Sequence, residues 1–418
     1  MTFTSYEAPQ SNEDCILRLA GWLADAGLRS LPLEQIVDGF GRRINELGIS
    51  AARMFVGMNT LHPMVRARSL IWERGQGPSA RFEFSHRDID APILRQSPFT
   101  PMLRHGIAER RYDLSAPQPT DEVPVFAELR ATGLTEWLGR VFPFGELAPQ
   151  FEGPEDAERL GELWLVCSVT TDRSGGFTAD DLACLRALLP LFAVAAKATT
   201  MRMIQQGLLA AYLGEDPAQR VLAGTVHRGR VQGVEAVLYY ADLRGFTALA
   251  DALEGNALIG LLDDCLECMG RPVVARGGEI LKFLGDGILA IFRIDDGPPA
   301  AACAGALEAA TEALSLIDTL AAARRRNGQP TPGLDIALHA GPVQYGNVGV
   351  DARLDFTVIG PAVNEAARIE LLCKELGRNL LVSRAFADAA GAAADRLVSL
   401  GPHSLRGVQA KTELFGLA

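Results

Sequence analysis

Apolar and polar residues alternate in two rhythms along this chain, and the switch between them marks its parts. "CILRLAGWLADAG" and "LPLEQIVDGFGRRINELG" repeat apolar residues at three and four, each ended by glycine, and predict two amphipathic helices. "AARMFVGMNT", "VRARSLIWERG" and "ARFEFSH" predict strands, with a Pro-containing turn between the first two. "SPFTPMLRHGIAERRYDL" reads as a short helix and then a strand, and "PVFAELRATGLTEWLGRVFPF" repeats that order. "GELWLVCSVTTD" is a strongly apolar strand, and Thr178 is an N-cap for the helix that follows. That helix is predicted to run from Thr178 to Leu213. Leu185, Leu189, Phe192, Ala196, Thr199 and Met203 recur along it at steps of four and three. Two readings of this seam stay open: packing on its own domain, or pairing with a second copy. "YLGEDPAQRVLAGTVHRG" then reads as a hinge, punctuated by Gly214 and Pro217.

From Val234 the pattern carries chemistry. "EAVLYYADLRGFTAL" is an apolar strand ending at Asp242, then a glycine turn into a helix, with the backbone N–H groups of residues 243 to 247 at the helix start. "EILKFLGDGILAIF" predicts a hairpin in which Gly285 and Gly287 flank Asp286. Lys282 and Asp286 have the same parity, as do Ile280 and Leu284, so a regular strand points all four to one face. A charged pair on an apolar face needs a ligand or partner. Glu279 reads as a strand-entry residue. Two carboxylates converging from neighbouring strands suit divalent cations at a triphosphate. In "DFTVIGPAVNEAARIELLCKEL" a strand ends at Gly360, and Pro361 suits the first turn of a helix. Asn364 and Arg368, four apart, share a helical face; one can bond a sugar, the other can neutralise charge on phosphorus.

Composition narrows the partners. The chain has 418 residues, 48% hydrophobic and 22% charged, which suits two or three globular domains. A net charge of −11 argues against a general binder of nucleic acid or anionic membrane. The N-terminal residues lack the pattern of a secretory signal. Arg186, Pro190, Lys197 and Arg202 interrupt the most membrane-like stretch, so no membrane span and a cytoplasmic location are expected. Seven irregularly spaced cysteines suggest no disulfide framework, and Cys265 and Cys268 lack the second pair that a zinc site needs.

"YADLRGFT", "KFLGDGILAIF", "HAGPVQYGNVG" and "VIGPAVNEAARIE" stand in the order and spacing of class III nucleotidyl cyclase catalytic domains, and the chain from about residue 230 onward resembles that family. The resemblance implies an α/β (α+β) ferredoxin-like catalytic domain, an obligate homodimer and active sites built across the dimer interface. It implies that Asp242 and Asp286 bind metal, Mg2+ or Mn2+, two ions per active site. It makes the backbone of Leu243, Arg244, Gly245, Phe246 and Thr247 a phosphate-holding turn. Asn364 then orients ribose and Arg368 steadies the transition state. Lys282 and Thr357 fall at the purine-reading positions, where guanylate cyclases resemble a Glu and Cys combination; Lys and Thr favour ATP. Arg406 matches the basic residue that reaches the triphosphate, with Lys411 as second choice. The implied activity is that of an adenylate cyclase: the ribose 3′-oxygen attacks the α-phosphorus in line, giving 3′,5′-cyclic AMP and pyrophosphate. A catalytically silent nucleotide-binding dimer and a guanylate cyclase are the alternatives. Residues 12 to 200 resemble a GAF-type sensory domain built on a mixed sheet, with a PAS-like fold as the alternative. The expected division is therefore a GAF-like regulatory domain at 1–177, a signalling helix and linker at 178–230, and the cyclase domain at 231–418. An unknown small ligand or partner is expected at the first domain, and no nucleic acid.

Overall fold

The computed structural model describes residues 12–60, 64–85, 96–115, 123–144, 164–224, 227, 229, 231–294, 297–350, 352–407 and 411–418. The Pro-containing turn at 61–63 and part of the C-terminal loop, 408–410, lie outside them. The chain divides into two units, Met1–Ala211 and Tyr212–Ala418.

The first unit is a six-stranded sheet between two helical layers. Its strands are β1 (Ala51–Asn59), β2 (Val65–Glu73), β3 (Gly77–Ser85), β4 (Glu109–Asp113), β5 (Glu136–Pro143) and β6 (Trp164–Thr171), in the order β3-β2-β1-β6-β5-β4. Every pairing is antiparallel, where a mixed sheet is expected from the sequence. The difference lies in the connections. Helix α4 (Pro124–Ala131) joins two neighbouring strands, β4 and β5, as a long hairpin loop rather than as a crossover. Helices α1 (Asn12–Leu28), α2 (Leu33–Glu46) and α5 (Ala179–Leu213) pack on the face that carries Met54, Val56 and Val169. Helices α3 (Phe99–Arg104) and α4 pack on the other face, around Trp137. Thr178 caps α5 in a reciprocal box: the Asp181 N–H donates to Thr178 Oγ1, and the Thr178 N–H donates to Asp181 Oδ2.

The seam on α5 is occupied within its own unit. Leu185, Leu189, Phe192 and Ala196 lie in the core, and Thr199 Oγ1 donates to the Leu31 carbonyl. This decides between the two readings for that stretch: a second copy cannot use the same side chains without unpacking the domain. By length and composition α5 and α9 (Pro299–Arg326) could each cross a membrane, Arg186 and Lys197 notwithstanding. Each gives one face to the core of its unit.

The second unit is built on β7 (Val231–Arg244), α8 (Gly255–Ala275), β8 (Glu279–Leu284), β9 (Gly287–Ile294), α9 and β10 (Gly333–Val350). Their order in the sheet is β10-β7-β9-β8, so the βαββαβ chain folds with its fourth strand beside its first and its third between first and second. That is the ferredoxin-like arrangement. Strands β12 (Leu380–Ser383), β14 (Thr412–Leu417) and β13 (Leu397–His403) extend the sheet beyond β10, and β11 (Arg353–Ile359) pairs with the far end of β10. Alternation along β7 sets the two faces. Val237, Tyr239, Ala241 and Leu243 enter the core with α8 and α9. Ala236 and Leu238 face the other way, toward β11 and helix α10 (Pro361–Leu376). Asp242 has the parity of this second face.

The short helix α6 (Glu215–Leu222) is fastened to this unit by a half-buried polar cluster around the buried Tyr345. The Tyr345 hydroxyl lies 2.9 Å from Asp216 Oδ2 and 2.8 Å from Glu279 Oε1. Arg293 reaches Asp216 at 3.1 Å, and Arg220 and Arg293 both lie over the tyrosine ring. Glu279 does open β8, but it is also a half-buried acceptor for the Tyr345 hydroxyl, which strand-entry alone does not describe.

Candidate active site

Two backbone devices bring the aspartates together. Strand β7 runs through Asp242 to Arg244, Gly245 takes the left-handed conformation at φ 78°, and α7 (Phe246–Ala252) begins. Strands β8 and β9 join through Gly285 and Asp286, with φ of 74° at the glycine and no positive φ at the aspartate, the pattern of a II′ turn. Gly287 then presses against β7. A Cβ there would meet the Ala241 carbonyl at 2.5 Å and Asp242 Oδ1 at 2.6 Å, so only glycine allows the hairpin tip to come so near Asp242.

Lys282 reaches the same face by a bulge. The β8–β9 register slips between Ile280 and Lys282, so Leu281 and Lys282 both turn toward the β11 side. The even parity expected of Ile280, Lys282 and Leu284 is therefore broken: Ile280 packs with α8 on the opposite face. Across from Lys282, β11 supplies Asp355, which takes the ammonium in an ion pair. Thr357, two residues along β11, is buried with the same parity.

Asn364 and Arg368 lie on α10, the first exposed and the second half-buried. Gly360 precedes the helix and Pro361 takes its first position, as the sequence implies. Neither side chain bonds to Asp242 or Asp286 among the described residues. Arg368 is turned toward the C-terminal loop, where a Cβ on Gly407 would come within 3.5 Å of its Nη2. Arg406, exposed, is the neighbouring residue in that loop. Arg244, by contrast, sends its guanidinium back to Asp335 and Asn379, which leaves its backbone as its contribution to the turn.

The face is strongly acidic. Burial, then Asp286 and Asp335, push the Asp242 carboxyl up to about 6. Burial, then Asp242, Asp335 and Asp286, push Glu370 up to about 7, against Arg244. Burial also raises Asp286. Carboxylates held this way concentrate negative potential where a cation relieves it. The donor set fits a hard divalent cation that takes few protein ligands and completes its shell with phosphate oxygens and water. No group of three or more ligating side chains converges among the described residues.

Asp335, Asp355 and Glu370 are the residues that sequence reasoning passed over. Each left a trace. Asp335 interrupts the apolar run "GLDIALHAG". Glu370 falls on the buried stripe of α10 with Ala362, Ala366 and Cys373. Asp355 shares parity with Thr357.

Residues 231–416 match the family of adenylate and guanylate cyclase catalytic domains. An adenylate cyclase of Anabaena cylindrica is 37% identical over 146 residues, covering 35% of this chain and 29% of that one. Adenylate cyclase 2 of Rhizobium meliloti is 32% identical over 171 residues, covering 41% and 46%. Both alignments thus span under half of the relative's length. Among solved structures, the chain is similar to an adenylyl cyclase from P. aeruginosa, with 24% identity and a TM-score of 0.41 over 45% of this chain and 96% of that one.

Proposed function

We propose that this chain, whose residues 231–416 are a class III nucleotidyl cyclase catalytic domain, is an adenylate cyclase that works as a homodimer under the control of its N-terminal unit. The observation that carries the reading is the meeting of Asp242 with the Asp286 hairpin across Gly287, on the face that also holds Lys282. Asp242 and Asp286 would hold two Mg2+ or Mn2+ ions, which supply an activated ribose 3′-hydroxyl and neutralise charge on the departing pyrophosphate. Lys282 donates to adenine N1, and Asp355 keeps its ammonium on the nucleotide face. Thr357 makes the second purine contact. The backbone N–H groups of residues 243–247 hold phosphate oxygens. Asn364 fixes the ribose, Arg368 takes up the charge that builds on the α-phosphoryl group, and Arg406 steadies the triphosphate. Asn364 and Arg368 have no bond to their own aspartates, which suits a site completed by the α10 of a second copy. ATP as substrate makes the cytoplasm its compartment.

The first unit we read as a GAF-like sensory domain over residues 1–177, followed by a signalling segment at 178–230. A guanylate cyclase is the second reading, since the matched family includes both activities; Lys282 favours adenine, because an ammonium donates to adenine N1, whereas guanine N1 carries its own proton. In the test, Asp286→Ala should lower cyclic nucleotide formation on the order of 100-fold or more while the dimer, followed by light scattering, persists. Retained turnover would remove Asp286 from the mechanism.

A further inference from the structure

The antiparallel register of β7 and β10 sets Asp335 directly opposite Asp242, and Arg244 directly opposite Gly333. Asp242, Arg244 and Asp335 therefore share one face. Asp335 is buried, with a side chain 7% exposed, so a bare carboxylate there would stand as an uncompensated charge against Asp242. Arg244 answers it with its fork. Nε lies 3.0 Å from Asp335 Oδ2, and Nη2 grips Oδ1. The same Nη2 donates to Asn379 Oδ1 at 2.9 Å. Gly333 makes room: a Cβ there would come within 3.1 Å of Arg244 Cβ. One guanidinium thus joins the end of β7, the start of β10 and the loop that leaves α10, the helix bearing Asn364 and Arg368.

We propose that Arg244 is a positioning residue. It braces the turn after Asp242 against the loop that leaves α10, and it holds Asp335 so that this carboxylate does not join Asp242 and Asp286 at the cation site. The inference rests on reading this face as a cation and nucleotide site. Its consequence runs against the ordinary effect of damaging a binding site. Loss of Arg244 removes a positive charge and frees a carboxylate beside Asp242, so cations should bind better while catalysis worsens.

The experiment compares full-length Arg244→Ala, Arg244→Lys, Asp335→Asn and the Arg244→Ala/Asp335→Asn pair with the starting protein and with Asp242→Ala. Mn2+ binding without nucleotide is read from the electron paramagnetic resonance of free Mn2+, and kcat and KM for ATP from product formation. Arg244→Ala should bind Mn2+ several-fold more tightly and lose kcat. Adding Asp335→Asn should return Mn2+ affinity to near the starting value without restoring kcat, since the turn stays unbraced. This pair also keeps the test open if the single variant fails to fold, because it removes the unpaired buried charge. Arg244→Lys should keep Mn2+ affinity and lose kcat by about tenfold, for an ammonium cannot grip both oxygens and Asn379. Unchanged kcat and Mn2+ affinity in Arg244→Ala would overturn the proposal. So would a rise in KM alone, which would make Arg244 a direct triphosphate contact. If Asp242→Ala leaves Mn2+ binding intact, the cation-site reading itself fails, and the brace with it.

Discussion

Asp242 and Glu370 give the residue scale its clearest prediction. Both protonate in the folded chain well above the ordinary carboxylate range, at about 6 and about 7: burial comes first for each, followed by Asp286 and Asp335 at Asp242, and by Asp242, Asp335 and Asp286 at Glu370. An unfolded chain releases these protons near pH ~4. The folded state therefore holds protons that the unfolded state has given up, and stability is favoured below that window and falls as pH rises through about 6 to 7. Arg244 opposes the shift at Glu370 and does not reverse it. In metal-free protein, the urea midpoint of the C-terminal unit should drop between pH 4.5 and 7.5, and the drop should be smaller in Asp242→Asn/Glu370→Gln. All four tryptophans lie in the first unit, so tryptophan fluorescence reports that unit alone, and the part of the circular dichroism transition that fluorescence does not share reports the second. An identical pH slope in the variant would mean that these two groups do not titrate as described.

At the scale of elements, Tyr345 ties three of them: α6 through Asp216, β8 through Glu279 and β11 through Phe356, whose ring lies 4.8 Å away edge-on. One phenol hydroxyl lies within hydrogen-bond distance of two carboxyl groups, Arg220 and Arg293 pair with Asp216 beside it, and burial raises the pKa of Glu279. Tyr345→Phe removes the shared donor and should cost the C-terminal unit about 1–3 kcal/mol; a midpoint unchanged from the starting protein would show that solvent satisfies the cluster. The elements themselves were largely legible. Apolar period marked β7, the β8–β9 hairpin and α10, and the glycines marked their turns. What period could not show was the bulge at Leu281, because a register slip leaves composition untouched while turning Lys282 to the other face. Ion pairs such as Lys282–Asp355 and Arg244–Asp335 join residues 73 and 91 positions apart; the register of β7 with β10 sets the second, and the return of β11 toward β8, which it does not pair with, sets the first. The seam on α5 had the spacing of a coiled coil, yet the same spacing serves a helix packed on its own sheet.

At the scale of the whole molecule, the reading requires two chains for one site. A mixture of Asp242→Ala and Arg368→Ala chains should recover part of the activity that each lacks alone, since one of the two sites in a heterodimer keeps every group. Absence of recovery with heterodimers present would place all the groups in one chain. The sensory role proposed for the first unit rests on the order of its elements, and it is tested separately from the chemistry proposed for the second. That chemistry is tested most directly by giving the purified full-length chain ATP or GTP with Mg2+ or Mn2+ and identifying the cyclic product. The expected result is 3′,5′-cyclic AMP and pyrophosphate from ATP, with little turnover of GTP. Preference for GTP would contradict the roles given to Lys282 and Thr357, and no product from either nucleotide would contradict the enzyme itself.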